Sequence, residues 1–224
     1  MPDSLKKLFW PGAAEAGEAD PPRPGRKDAP SAPAVRRSNG LREFCHSLKG
    51  LEGLRVLDLG TACQANLDFF LEQRHKIYTE DLLTALDANV YRVRGENGLR
   101  SFDTEGFLAE NLSYQMLLFD AVLCWDLFDH VEEHAIRSLV DRLHWVVKPG
   151  GILLAFFHIA DPGAMVPAYQ YRIQGPDLLE LHPRGQAALR RPLNNRNIEN
   201  LFRTFHSLKF FLARDNLREV LIVR

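Results

Sequence analysis

From residue 40 to about residue 157, segments with the hydrophobic pattern of strands alternate with segments with the hydrophobic spacing of helices. Apolar runs predict buried strands at 55–59, 119–124 and 152–157, and 75–81, HKIYTED, predicts a further strand. Between them, apolar residues at helical spacing predict helices that begin near residues 41, 67, 82 and 132. Strands and helices in alternation predict an α/β domain with a mostly parallel sheet and helices on both faces.

The chain ends on a different pattern. Asn197 is suited to cap a helix, and residues 207–214 and 217–224 then predict two strands joined at Asp215-Asn216. So short a connection allows only an antiparallel pair, because parallel strands need a long crossover. The predicted sheet is therefore parallel in most of its strands and antiparallel at the end.

Residues 1–38 differ in composition from the rest. They hold more than half of the 13 prolines, mixed with Ala, Gly and charges of both signs, and they lack apolar side chains able to form a core. Such a segment cannot bury enough surface to offset its ordering entropy. We therefore expect a disordered tail over 1–38 and one folded domain over 39–224.

Composition narrows the possible partners. The 28 Lys and Arg residues nearly balance the 29 Asp and Glu residues, so no net field favours nucleic acid or an anionic membrane. The three cysteines have no CxxC spacing and are expected to be reduced core residues. Neither a signal peptide nor an apolar stretch of transmembrane length is found. We expect a cytoplasmic protein and leave its oligomeric state open.

The stretch 55–66, RVLDLGTACQAN, holds the first candidate site. It predicts a strand that ends in an acid and a glycine, then a turn of small residues and a helix. This order directs helical N–H groups and the positive end of the helix dipole toward the carboxyl edge of the strand. The stretch resembles the first motif of class I S-adenosylmethionine-dependent methyltransferases, whose acid-x-Gly-x-Gly-x-Gly pattern falls on Asp58, Gly60, Ala62 and Gln64. Only the first glycine is kept.

The resemblance implies a fold and a cofactor. It implies a seven-stranded, mostly parallel sheet with helices on both faces and a C-terminal antiparallel hairpin. It also implies that S-adenosylmethionine binds at the first motif, through Asp58, Gly60, Thr61 and Ala62. Ala62 and Gln64 replace glycines that let the backbone approach the cofactor closely. Asn66 is expected to compensate by donating a hydrogen bond from the first turn of the next helix.

Acids after the second strand are the next candidates. In this family an acid at that place binds both ribose hydroxyls of the cofactor, and the resemblance assigns the role to Asp81, with Glu80 beside it. A carboxylate suits the task because it accepts two hydroxyl donors in charge-assisted hydrogen bonds. The alternative for Asp81 is a helix N-cap, which aspartate also fills well. For the adenine amine the candidates are Glu110, Asp103 and the neutral Asn111.

The stretch 119–131, FDAVLCWDLFDHV, is the most specific match. It resembles the fourth strand of the family and the turn after it, which implies that Trp125 and Asp126 lie beside the methionine end of the cofactor. His130 is expected to pack the turn. The Asn/Asp-Pro-Pro-Tyr/Phe turn typical of DNA and protein amine methylation is absent, which disfavours those substrates. A later stretch, VVKPGGILLAFF, resembles the turn and fifth strand, and His158 directly follows it.

These features favour methyl transfer to a small-molecule acceptor. Asp126 and His158 are the candidates for accepting a proton, and the alternative for each is a solvated or capping role. No metal-ligand or hydrolase constellation is present. Residues 161–196 are expected to cover the substrate, and their arginines suit an anionic acceptor. A solvated basic loop is an equally open alternative for this segment. The alternative function is a catalytically inactive, methyltransferase-like binding or scaffolding module, and a dehydrogenase is a weaker third.

Overall fold

The computed structural model describes residues 32–94, 100–212 and 215–224. Its helices are α1 (Asn39–Leu48), α2 (Gln64–Glu72), α3 (Leu82–Asp87), α4 (Thr104–Asn111), α5 (Glu133–Val146) and α6 (Asn195–Leu201). Its strands are β1 (Ala34–Arg37), β2 (Arg55–Asp58), β3 (Lys76–Thr79), β4 (Arg92–Arg94), β5 (Arg100–Phe102), β6 (Phe119–Trp125), β7 (Val147–His158), β8 (Met165–Gly175), β9 (Leu178–Ala188), β10 (Ser207–Leu212) and β11 (Leu217–Val223).

The main sheet has six strands in the order β10-β11-β7-β6-β2-β3. The pairs β3–β2, β2–β6 and β6–β7 are parallel. Strand β11 lies antiparallel to β7, and β10 lies antiparallel to β11. The carboxyl ends of β2, β3, β6 and β7 therefore meet at one edge of the sheet, which is where parallel α/β proteins place their ligands.

Side chains on the two faces of this sheet form two separate cores. Val56 and Leu57 are neighbours on β2, yet Val56 packs in one core and Leu57 in the other, because successive strand residues point to opposite faces. Leu57 shares its core with apolar residues of α3, α4, α5 and α6. Val56 shares its core with residues of α1 and α2. Helices cover both faces of the sheet, as the alternating pattern predicts.

A second sheet has three strands in the order β1-β9-β8. Strands β8 and β9 pair antiparallel over most of their length, and β1 adds to the free edge of β9. Tyr171, Ile173, Leu179 and Leu181 of this sheet are buried in the core that contains Val56. The predicted substrate-covering segment, 161–196, thus contains a long hairpin that is packed against the domain.

The predicted count of seven strands differs from the structure. In the described ranges the main sheet has six strands, and no strand pairs with the outer edge of β3. The chain between β3 and β6 instead forms β4 and β5, which pair only with each other. The cause lies in their sequences, RVR and RSF, which are too short and too polar to be buried on both faces.

Two further expectations need correction. The N-cap of α6 is Asn194, and Asn197 completes a reciprocal capping box with it. The tail predicted over 1–38 includes Ala34–Arg37, which form β1 because their backbone groups pair with β9. Residues 1–31, the rest of that tail, lie outside the described residues. Among the described helices, none is long and apolar enough to cross a membrane.

Strand β1 is fixed by a buried ion pair. The Arg36 side chain is only 7% exposed, and it lies 2.5 Å from both Asp215 Oδ2 and Glu219 Oε1. Glu219 is buried in β11 and also accepts hydrogen bonds from the Ser38 hydroxyl and the Gly40 N–H. These contacts tie the N-terminal strand to the end of the main sheet.

Replacing Arg36 should therefore destabilise the fold. Arg36→Met leaves the Glu219 carboxylate buried without its cation, which typically costs about 3 kcal/mol. Arg37→Met is the matched control, since the Arg37 side chain is 78% exposed and should lose less than about 1 kcal/mol. Urea unfolding of both variants measures the difference. Equal free energies of unfolding would contradict a structural role for the Arg36 ion pair.

Candidate functional site

The carboxylate of Asp58 organises the carboxyl edge of the sheet. Its Oδ1 accepts hydrogen bonds from the Gly60 N–H at 3.0 Å and the Trp125 indole N–H at 2.6 Å. Its Oδ2 accepts one from the Asn66 amide at 2.8 Å. Burial raises the pKa of Asp58, and the three hydrogen bonds act in the opposite direction. One fully buried acid thus fixes the turn after β2, the end of β6 and the start of α2.

Gly60 is required by packing. A Cβ built at this position would lie 2.7 Å from Cδ1 and 2.9 Å from Nε1 of Trp125. Trp125 itself has a φ of 49°, in the left-handed region, which turns the chain at the end of β6. Its ring stacks on that of Tyr171 with centroids 5.0 Å apart. Gly60, the one glycine of the acid-x-Gly-x-Gly-x-Gly pattern that this chain has, is thus the residue on which the Trp125 indole lies.

The two positions where glycine is replaced lie outside this packing. Ala62 and Gln64 are both exposed. The Gln64 amide donates to Asp68 at 2.6 Å on the surface of α2. The substituted side chains therefore project to solvent at the start of α2 rather than over the Asp58 carboxylate.

Asn66 has a role that sequence reasoning missed. Besides its bond to Asp58, its amide donates to the Tyr171 carbonyl at 3.1 Å, and its Oδ1 accepts from the Ile173 N–H at 2.8 Å. The Asn66 side chain therefore makes with the outer edge of β8 the two hydrogen bonds that the backbone of a neighbouring strand would make. The Asn66 amide, which we expected to donate toward the cofactor, is bonded within the protein and joins the second sheet to the Asp58 carboxylate. The sequence signal for this contact is an asparagine in the first turn of a helix.

Asp81 lies beside the turn after β2. Its Oδ1 caps α3 by accepting from the Thr84 N–H at 3.0 Å. Its Oδ2 accepts from the Thr61 hydroxyl at 2.7 Å, and Arg184 of β9 donates to the same hydroxyl at 2.5 Å. Glu80 faces another way, since its carboxylate accepts from the Tyr114 hydroxyl. The structure thus brings Asp81, but not Glu80, to the first-motif turn.

A cleft of about 230 Å³ opens between this turn, α3 and the β8–β9 hairpin. Its lining residues are Gly60, Thr61, Leu83, Thr84, Asp87, Trp125, Ala168, Tyr169, Gln170, Tyr171 and Arg184. A second cavity of about 290 Å³ is lined by Leu83, Leu86, Asp87, His130, Ala168, Ala187, Ala188 and Arg190. The two cavities share Leu83, Asp87 and Ala168, so they lie side by side under the hairpin.

The adenine candidates are not brought to this space. Glu110 accepts from the Tyr91 hydroxyl and Asn111 donates to it, both at 2.8 Å. Asp103 caps α4 by accepting from the Gly106 N–H at 3.0 Å. None of the three lines either cavity. These residues stabilise the region around β4, β5 and α4.

Four ionisable residues lie where β6 and β7 end. The Nδ1 and backbone N–H of His158 both lie 2.8 Å from Asp129 Oδ2, which holds the ring in place. Burial raises the pKa of Asp129 despite these bonds. Asp126 is 1% exposed, and its Oδ2 lies 3.6 Å from Nε2 of His130. His130 lines the second cavity, whereas His158 lines neither.

Most of the arginines in 161–196 already have partners. Arg172 donates to Gln170, Arg184 to Thr61, and Arg191 to Glu133. Arg190 lies 3.4 Å from Glu132, a carboxylate that Arg92 also binds. Glu132 is thus shared by two arginines, and Asp87 is the acid that lines the second cavity with Arg190. The expected arginine cluster is dispersed, with Arg184 and Arg190 at the cavities.

Comparison with known proteins finds methyltransferases. No protein-family model matches the chain. A ubiquinone biosynthesis O-methyltransferase from Methylocella silvestris is 29% identical over 168 residues, covering 72% of this chain and 61% of the relative. The chain thus spans about three fifths of the curated relative it matches. Among solved structures, a Burkholderia thailandensis 1,6-didemethyltoxoflavin-N1-methyltransferase with bound S-adenosylhomocysteine has a TM-score of 0.46 at 18% identity, covering 82% of this chain and 75% of its own.

A methyltransferase from Archaeoglobus fulgidus has a TM-score of 0.48 at 13% identity, covering 82% of this chain and 91% of its own. The main sheet is mostly parallel, with the antiparallel β11 beside β7, and the O-methyltransferase relative is consistent with this architecture. The chain has the class I S-adenosylmethionine-dependent methyltransferase fold, with six strands in its described main sheet.

Gly60→Ala should destabilise the protein by about 2 kcal/mol, because the new Cβ forces the indole of Trp125 away from Asp58. Gly175→Ala is the control, since a Cβ there would meet nothing nearer than 3.8 Å. Chemical unfolding followed by circular dichroism measures both. A Gly60→Ala variant as stable as the wild type would show that the indole does not depend on the glycine.

Stability should also depend on pH through His130. Burial lowers the pKa of His130, but its attraction to Asp126 and other acids outweighs burial and raises it. A raised folded-state pKa stabilises the fold below the ordinary value and loses this effect as pH rises through the folded value. The wild type should therefore exceed His130→Gln in stability by more at about pH 6 than at about pH 9. In an Asp126→Asn background this pH dependence should shrink; an unchanged dependence would assign it to other groups.

Proposed function

We propose that the protein transfers a methyl group from S-adenosylmethionine to a small-molecule acceptor. The observation that carries the proposal is that Asp58, Gly60 and Asp81 meet at the ends of two adjacent parallel strands. Gly60 and Thr61 line the cleft, and Asp58 and Asp81 lie behind this lining, in contact with Gly60 and Thr61. The first-motif turn and the second-strand acid are the parts of this fold that hold the cofactor. The relative named as an O-methyltransferase supports the same reaction class.

The residues present fit this cofactor. Asp81 already accepts a hydroxyl donor from Thr61 at Oδ2, so the carboxylate is oriented to receive a ribose hydroxyl in its place. The two adjacent cavities, of about 230 and 290 Å³, together have the volume that small-ligand sites usually have. Asp81 would hold the ribose, Gly60 and Thr61 the amino-acid end, and Trp125 would lie beside the methyl group.

The protein contributes position and the exclusion of water. When bound, the cofactor supplies an electrophilic methyl group on a sulfonium. The β8–β9 hairpin covers the space, because Gln170 approaches the Thr61 and Ala62 carbonyls within 3.5 Å and Arg184 reaches Thr61 from β9. Holding the acceptor in line in a site closed to water lowers the entropic cost of reaction. We assign to this hairpin the covering role predicted for 161–196, with Arg190 available to an anionic group of the acceptor.

The inactive binding module is the second reading. This hypothesis depends on Ala62 and Gln64, which stand where the motif has glycine. Both side chains are exposed, however, and neither lines the cleft. The altered motif therefore leaves the cleft open, and we favour an active enzyme. Turnover of S-adenosylmethionine in the presence of an acceptor separates the two readings.

Asp81→Ala should weaken binding of S-adenosylhomocysteine by roughly 10-fold to 150-fold, the effect of losing about 1.5–3 kcal/mol of charge-assisted hydrogen bonds. Asp103→Ala is the matched control, because Asp103 caps α4 just as Asp81 caps α3, each through an N–H at 3.0 Å. The free energy of unfolding should fall by about 1 kcal/mol in both variants, because each one removes a helix N-cap.

Titration calorimetry distinguishes the two effects. Only Asp81→Ala should change the dissociation constant. Equal affinity in both variants would assign Asp81 to capping alone. A wild type that stays folded but releases no heat with millimolar ligand would exclude the proposed function.

A further inference from the structure

One basic side chain lines the first cavity. Arg184 of β9 lies in its wall, and among the described lining residues it carries the only positive charge. Its Nη1 donates to the Thr61 hydroxyl at 2.5 Å. Arg190 and Arg191, which follow β9, each pair with a glutamate at the start of α5. Arg184 forms no such ion pair with an acid in the described part of the chain, so its charge is available to a ligand in the cleft.

A β-bulge places Arg184 at the cleft. The pairing of β8 with β9 shifts at this point, so that Arg184 and Gly185 lie opposite the single residue Ala168. Gly185 has a φ of 103°, a conformation that glycine adopts without steric cost. Bulges bend a strand and re-aim its side chains, and they are frequent beside active sites. Here the two sides of the bulge meet the ligand space, because Ala168 and Arg184 both line the first cavity.

The charges of the cleft indicate what it binds. A guanidinium carries five N–H donors in a planar fork that fits the two oxygens of a carboxylate. The contact of Arg184 with Thr61 uses one of these donors. Asp87 is the acid that lines the same cavity. One base and one acid in one cleft match a ligand that carries both a carboxylate and an ammonium group, and the amino-acid end of S-adenosylmethionine carries both.

We propose that Arg184 binds the carboxylate of the cofactor's amino-acid end. The assignment rests on the proposed function and adds a residue of the second sheet to a site otherwise built at the ends of β2 and β3. Thr61 connects the two parts, because its hydroxyl accepts from Arg184 and donates to Asp81 at 2.7 Å. Arg184 therefore lies one hydroxyl group away from the acid that we assign to the ribose.

An anionic acceptor is the rival ligand for Arg184. The two arginines at the cavities divide between them, since Arg184 lines the first cavity and Arg190 lines the second. Thr61, the partner of Arg184, belongs to the first-motif turn and lines the first cavity alone. The position of Arg184 on this turn favours the cofactor as its ligand and leaves Arg190 to the acceptor.

Two ligands that differ only in the carboxylate test the assignment. They are S-adenosylhomocysteine and S-adenosyl-3-thiopropylamine, which keeps the amine and lacks the carboxylate. Each is titrated by calorimetry into the full chain, as wild type and as Arg184→Gln. The substitution should weaken binding of S-adenosylhomocysteine about 10-fold, the effect of losing charge-assisted hydrogen bonds. It should not weaken binding of the amine analogue, which offers Arg184 no acceptor.

Arg191→Gln is the matched control. It removes the same charge a few residues later, from a side chain that pairs with Glu133 and lines neither cavity. This control should bind both ligands as the wild type does. Arg184→Lys keeps the charge without the planar fork, so it should lose less affinity for S-adenosylhomocysteine than Arg184→Gln. Because Arg184 is exposed, added salt should reduce the difference between the wild type and Arg184→Gln.

The outcomes separate this assignment from the proposed function. Unchanged affinity of Arg184→Gln for S-adenosylhomocysteine would overturn the role of Arg184. Equal weakening of both ligands would also overturn it, because the effect would then not depend on the carboxylate. If Arg184→Gln fails to fold, the same comparison with Arg184→Lys decides the matter. A folded wild type that binds neither ligand would instead exclude the proposed function.

Discussion

The structure depends on one buried carboxylate. Asp58 ends β2 with no exposure to solvent, and a charge in that place is tolerated only when hydrogen-bonded. Its three donors come from the turn after β2, from α2 and from the end of β6. These are the elements that build a nucleotide site at the carboxyl edge of a parallel sheet. The same requirement explains why Gly60 is retained, since the indole that satisfies Asp58 occupies the space of a side chain there.

The second sheet is held from both sides. Strand β1 pairs with β9 on one edge and is fixed by the Arg36 ion pair, while Asn66 pairs with β8 on the other edge. Because Asn66 bonds both to β8 and to Asp58, the hairpin over the cleft is mechanically joined to the first-motif carboxylate. The hairpin is thereby fixed to the carboxyl edge of the main sheet through one side chain.

The sequence predicts the periodic parts of the molecule well and the long-range parts poorly. Strands β2, β6 and β7 and helix α5 follow from apolar runs and stripes, because burial of those side chains dictates the pattern. Strand β1 does not, since Arg36 is polar and is buried only by the distant partners Asp215 and Glu219. In the site, Asp58, Gly60 and Asp81 are placed by a local strand–turn–helix motif. The roles of Asn66 and Tyr171 depend on a hairpin about a hundred residues later in the chain, as the contact between Asn66 and Ile173 shows, and no local pattern encodes that contact.

The most direct test of this account is a crystal structure with S-adenosylhomocysteine. The account predicts the ligand in the cleft between the first-motif turn, α3 and the β8–β9 hairpin, with its ribose hydroxyls on Asp81 in place of the Thr61 hydroxyl. It also predicts that Asp58 keeps its bonds to the Gly60 N–H, Trp125 and Asn66 in the complex. A ligand bound elsewhere, or a ribose with no contact to Asp81, would contradict it.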